Sequence, residues 1–112
     1  MLVYFHGGEF IYGGKDFFKP DYIFDSLIQN GQEIVVVTVN YRLGVLGFLS
    51  TDDIQQPGNN GIRDQILALQ WINQNIGLFQ GNPNQVTIMG HDAGGVSVGM
   101  HMLNPDVGSK SK

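Results

Sequence analysis

A chain of 112 residues, 42% hydrophobic and 14% charged, has the balance of one small globular domain and is not a disordered tract. A net charge of −4 without any Lys/Arg cluster argues against a nucleic-acid partner. There is no cysteine to report a redox compartment. No apolar stretch reaches the ~20 residues of a membrane span, and no signal peptide precedes the first strand.

Glycine is the compositional outlier, at 16 residues. The glycines gather at 7–8, 13–14, 44–47, 58–61 and 94–95, between apolar runs, and so mark sharp turns and close backbone approaches. Leu2 to Phe5 is a short apolar run ended by His6-Gly7-Gly8, a strand entering a tight loop. Pro20-Asp21 offers a helix start, with Ile23, Phe24, Leu27 and Ile28 at helical spacing and Gly31 as the stop. Ile34 to Val39 is β-branched without polar alternation, the pattern of a strand buried on both faces. Residues 40–61 form a long Gly-rich connection.

A helix follows from about Ile62 to Ile76, with Ile62, Ile66, Leu69, Ile72 and Ile76 on one face, widened by Leu67 and Trp71. Gly81-Asn82-Pro83-Asn84 is a turn, Val86 to Met89 a third strand, and a last helix starts near Ala93. The alternation of strands and helices predicts an α/β fold with a mostly parallel sheet flanked by helices.

Two strand ends carry the chemistry. After the first strand, His6-Gly7-Gly8-Glu9 can leave backbone N–H groups pointing into open space, where they bind an oxyanion. After the third, Gly90-His91-Asp92-Ala93-Gly94 has the strand–turn–helix form of a nucleophile elbow. Gly90 and Gly94 allow close packing while Asp92 is thrust outward, and the Ala93 N–H at the helix N-terminus joins the donors. The candidate site is therefore Asp92 at the nucleophile position, Gly7, Gly8, Glu9 and Ala93 as an oxyanion hole, and Gly90, His91 and Gly94 as the elbow. No metal and no cofactor is expected.

The connecting segments add specificity. Asn40-Tyr41-Arg42-Leu43-Gly44-Val45-Leu46-Gly47-Phe48-Leu49-Ser50, Gly58-Asn59-Asn60-Gly61-Ile62-Arg63-Asp64-Gln65, and Phe79-Gln80-Gly81-Asn82-Pro83 closely resemble blocks of type-B carboxylesterases and cholinesterases. The resemblance implies a partial α/β-hydrolase domain filling residues 1–112, from oxyanion strand to elbow helix. The acidic and histidine members of that family's triad come later in its chain and have no counterpart in these residues.

Asp92 departs from the family's Gly-x-Ser-x-Gly elbow. A serine attacks an ester carbonyl after a histidine takes its proton. A carboxylate would give a mixed anhydride, and its charge would occupy the N–H groups meant for the transition state. Loss of a triad nucleophile costs on the order of 10⁶ in kcat. Glu9 is a second departure, where the family usually has a small residue. Two neighbouring carboxylates are expected to raise at least one pKa.

The first reading is thus a catalytically silent domain that works by binding or in cell adhesion, as in neuroligins, glutactin and gliotactin, which it resembles in character. Its partner would be a cell-surface protein or an ester-like small molecule, and the resemblance implies a secreted or extracellular setting. The alternative is a hydrolase with Asp92 as nucleophile on a saturated carbon, as in the elbows of haloalkane dehalogenases and epoxide hydrolases. A truncated product without independent function is the third. Other polar residues are expected to be structural: His6 as a hydrogen bonder at the strand end, His91 as an exposed filler, His101 without a catalytic role, and Arg42–Asp64 as an ion pair. Trp71 is expected in the core.

Overall fold

The computed structural model describes residues 1–108; the polar tail from Ser109 lies outside the described residues. Three strands form a parallel sheet, β1 (Leu2–Phe5), β2 (Val36–Val39) and β3 (Thr87–Gly90), in the order β2-β1-β3. Phe5 is in register with Val39 on one side and Gly90 on the other, so all three strands end along one line. The first strand of the chain is the central one, and the later strands add to its two sides. Loops leaving the carboxyl ends of β1 and β3 consequently open side by side, where open α/β sheets place their sites.

Burial follows this order. Val3 and Phe5 of β1 are fully buried and form a core with Val39, Tyr41, Ile72 and Ile76. The expectation that the strand over Ile34–Val39 is buried on both faces is not met. Only Val39 is buried; Val36, Val37 and Thr38 are half-buried, because β2 pairs on one side only among the described residues.

Helix α1 (Asp21–Gln29) starts after Pro20 as expected. It closes in a Schellman motif, with Gly31 N–H donating to Ile28 O at 3.0 Å and Gln32 N–H to Leu27 O at 2.9 Å. None of its residues is fully buried.

The connection over 40–61 holds one helix that sequence reading missed, α2 (Gly44–Phe48). Its two glycines hide the helical pattern from a propensity reading. Phe48 anchors it, its ring 5.0 Å from that of Phe10.

Helix α3 (Asn60–Asn75) begins two residues before the expected Ile62 and runs into a 3-10 turn at Ile76–Phe79. Gly61, Gln65 and Ile72 are its buried positions. Leu67 and Trp71 do not widen the apolar face: they are 65% and 50% exposed. Leu67 lies two residues beyond Gln65, about 200° around the helix, so it points away from the sheet, and Trp71 is one turn further along that outer face. Trp71 instead meets Phe79, with ring centroids 6.1 Å apart. Helix α4 (Ala93–Leu103) follows β3 directly, and a short α5 (Pro105–Gly108) ends the described chain.

Candidate active site at the β3–α4 elbow

The elbow is built by collision avoidance. A Cβ on Gly90 would run into the backbone of Gly94, and a Cβ on Gly94 would run into the Phe5 carbonyl. With hydrogen at both positions, β3 turns into α4 while the helix start presses against the end of β1. The residue at the tip takes the strain: Asp92 has φ 54° and ψ −120°, outside the regions that L-residues ordinarily occupy.

Opposite it, the loop after β1 is turned by two successive left-handed residues, Glu9 (φ 55°) and Phe10 (φ 64°). This conformation aims consecutive N–H groups at one point. The Gly8 and Glu9 N–H groups both donate to Asp92 Oδ2, each at 2.9 Å. Gly7 does not donate to Asp92; it stacks its backbone beside the Asp92 side chain, and its carbonyl pairs with His6 Nδ1 at 2.7 Å. Ala93 N–H faces the same carboxylate at the start of α4, and only the Gly8 and Glu9 contacts have full hydrogen-bond geometry.

These donors set the charge state. The Asp92 carboxyl is held down to about 2, first by the Glu9 N–H, then by those of Gly8 and Ala93, with the neighbouring His91 adding to the same direction. Asp92 is therefore not a carboxyl raised by the neighbouring carboxylate. Glu9 acts on Asp92 through its backbone N–H, which favours the charged form. Asp92 and Glu9 are both exposed at the surface of the described residues.

The other candidates take supporting positions. His6 is buried and stacked on Tyr41, with ring centroids 4.5 Å apart, and its carbonyl accepts from Tyr41 Oη at 2.7 Å. Tyr41 is pushed up to about 12, by burial first and then by the negative charge of Asp92 and by Tyr4. His6 thus braces the loop, as expected of a residue at the strand end. His91 is exposed. Arg42 and Asp64 form the expected pair, with Nε and Nη2 each 2.7 Å from a carboxylate oxygen and the Arg42 N–H donating at 3.0 Å. The pair ties the residue after Tyr41 to the second turn of α3 and drives the Asp64 carboxyl below its usual range.

Sequence reading missed a buried network. Gln65 and Ser97 are fully buried and His101 nearly so. Gln65 Nε2 donates to Ser97 Oγ at 3.0 Å, Ser97 Oγ donates to Ala93 O at 2.9 Å, and His101 Nε2 pairs with Gln65 Oε1 at 2.8 Å. The signal was present: Gln65 is a polar residue one heptad before Ile72, on the buried stripe of α3.

Two of the cavities formed by the described residues lie elsewhere. One, of about 530 Å³, opens at the amino ends of the strands beside Met1, Val35 and Gln85. The other, of about 440 Å³, flanks β2 between Lys15 and Phe24. Neither is lined by Asp92, Gly8 or Glu9. Among the described residues no helix is long and apolar enough to cross a membrane.

A family model described as the carboxylesterase family matches residues 1–110. This chain belongs to the carboxylesterase family. It is 48% identical to Esterase FE4 of Myzus persicae over 105 residues, covering 94% of this chain and 18% of that protein. It is 43% identical to human bile salt-activated lipase over 109 residues, covering 94% of this chain and 14% of the lipase. Among solved structures, juvenile hormone esterase from Manduca sexta, with OTFP covalently attached, superposes with a TM-score of 0.84 at 37% identity, covering 96% of this chain and 19% of that one. The fold is therefore that of an α/β-hydrolase, and the chain spans about a fifth or less of the length of these relatives.

Proposed function

We propose that this carboxylesterase-family domain is silent as a serine-type esterase and acts by binding, at the cell surface or outside the cell, to a protein partner or an ester-like small molecule. The observation that carries this reading is the pair of N–H groups, Gly8 and Glu9, closed on Asp92 Oδ2. In acyl transfer, donors so placed stabilise charge that appears only in the transition state. Here they meet a full negative charge in the resting protein, so a carbonyl oxygen entering the site would have to displace it. Gly8, Glu9 and Ala93 supply the donors of the oxyanion hole in this reading, with Gly7 as its wall, and the elbow of Gly90, His91 and Gly94 presents Asp92 as its resident anion.

The names of the relatives, esterases and a lipase, supply the ester-like class of ligand; the adhesion role rests on the resemblance to neuroligins, glutactin and gliotactin. The test is hydrolysis of p-nitrophenyl esters by the full-length protein. No rate above background is expected, and a rate that disappears on Asp92→Ala would overturn the reading. Asp92→Ser probes the rest of the site, since esterase activity gained there would show that the carboxylate alone keeps it closed.

One geometric detail favours a second reading. Both hydrogen bonds converge on Oδ2, which leaves Oδ1 as the oxygen that would attack a saturated carbon, expelling halide from a haloalkane or breaking the ring C–O bond of an epoxide, with the carbonyl of the ester so formed already seated in the donors. An alkyl ester on Asp92, found by mass spectrometry after incubation with haloalkanes or epoxides, would establish it.

A further inference from the structure

We propose that Gln65 and Ser97 are positioning residues for Asp92, clamping α4 to α3 so that the elbow stays in the strained conformation that brings its carboxylate onto the Gly8 and Glu9 N–H groups. The inference rests on the reading that these N–H groups hold Asp92.

The geometry points to Ala93 as the point of control. Asp92 sits at φ 54° and ψ −120°, a conformation that persists only where its surroundings over-determine it. Its neighbour Ala93 is buried, and the Ala93 carbonyl accepts both the helical register and the Ser97 hydroxyl. A serine bonding back four residues along a helix ordinarily loosens the turn it touches. In this protein the same hydroxyl is held from the other side by Gln65 Nε2. The second end of the Gln65 amide is occupied by His101, one turn beyond Ser97 on the same face of α4.

One side chain of α3 thus grips α4 at two successive turns. All three side chains are excluded from water, so a break leaves an unsatisfied buried group and cannot be repaired by solvent. His101 is also tilted against Phe5 with ring centroids 5.4 Å apart, and it is the Phe5 carbonyl that Gly94 approaches. The clamp is therefore referenced to β1, the strand that carries the Gly8–Glu9 loop.

The experiment reads the Asp92 carboxyl in the full-length protein by coupling to glycine ethyl ester with a carbodiimide at pH 5, followed by mass spectrometry. The coupling needs the protonated acid, so a carboxyl held low reacts slowly. Asp25, exposed on α1, is the internal control. In the unsubstituted protein Asp92, held by the Gly8 and Glu9 N–H groups, is expected to react at least about tenfold more slowly than Asp25. In Ser97→Ala, and independently in Gln65→Met, Asp92 is expected to approach the Asp25 rate while Asp25 itself is unchanged.

Slow coupling of Asp92 retained in either folded variant would overturn the proposal and leave the reading of the occupied site intact. Equal rates for Asp92 and Asp25 in the unsubstituted protein would overturn that reading, and the proposal with it. Loss of the cooperative thermal transition in both variants would also overturn it, since the network would then be a requirement of the fold and not of the elbow.

Discussion

Asp92 concentrates the local chemistry: a strained backbone, an exposed carboxylate and two short hydrogen bonds on one oxygen. Because its carboxyl is lowered from the ordinary 3.8 to about 2, the folded state gains from its ionised form. The sign follows from proton counting. Below pH ~4 the unfolded chain takes up a proton that the folded chain refuses, so stability is full above that pH and is lost as pH falls through 2. Urea midpoints measured from pH 5 to 2 should therefore drop more steeply for the natural protein than for Asp92→Asn, whose side chain cannot titrate. His101 carries the same sign at higher pH. Burial lowers its imidazole from 6.5, so its contribution is whole above that value and declines with acidification below it. An imidazole proton resonance that stays in its neutral position below pH 6.5 would verify this.

Elements transmit these local demands through close approach. Gly94→Ala forces a methyl group into the Phe5 carbonyl, and α4 must move off β1 to relieve it. A cost of about 3 kcal/mol is expected, at the upper end for an overpacked site, measurable by chemical denaturation. Helix α3 makes a sharper contrast. Ile72→Ala, at a position 2% exposed, should cost about 3 kcal/mol, whereas Trp71→Ala, half exposed on the outer face, should cost about 1 kcal/mol or less. That contrast also marks what the sequence could express. Apolar runs bounded by turn signals placed β1 and β3, helical spacing placed α1 and α3, and the glycine-rich elbow placed the start of α4, each nearly as observed. The elbow was legible because glycine at 90 and 94 has one physical use there. Trp71 was misplaced because an aromatic on a helix is apolar in any direction, and only the packing of α3 decides which stripe faces the sheet. Helix α2 was missed because its residues obey tertiary packing over intrinsic propensity. Gln65 went unnoticed for the opposite reason: a polar residue on an apolar stripe acquires meaning only with partners from α4, 32 and 36 residues away.

For the molecule as a whole, the described residues leave much apolar surface without a partner. Phe17, Tyr22, Ile54, Leu78 and Leu103 are each more than 80% exposed, and β2 and β3 each pair on one side only. Unpaired strand edges with apolar neighbours invite association. The isolated 112 residues should therefore self-associate or remain partly unfolded, which sedimentation across a range of concentrations would reveal. A sharp thermal transition from a monomer would contradict this.

The placement of β1 at the centre of the sheet also bears on the order in which the chain can fold. Among the described strands, β2 and β3 both pair with β1, and the bonds from Gly8 and Glu9 to Asp92 join residues 84 and 83 positions apart. Until β3 emerges, β1 waits with one side unpaired and its loop without an anion. Contacts of such long range slow a search that local helices complete early. During synthesis, then, the elbow emerges well after the Gly8–Glu9 loop that it must find, and its arrival locks that loop in place.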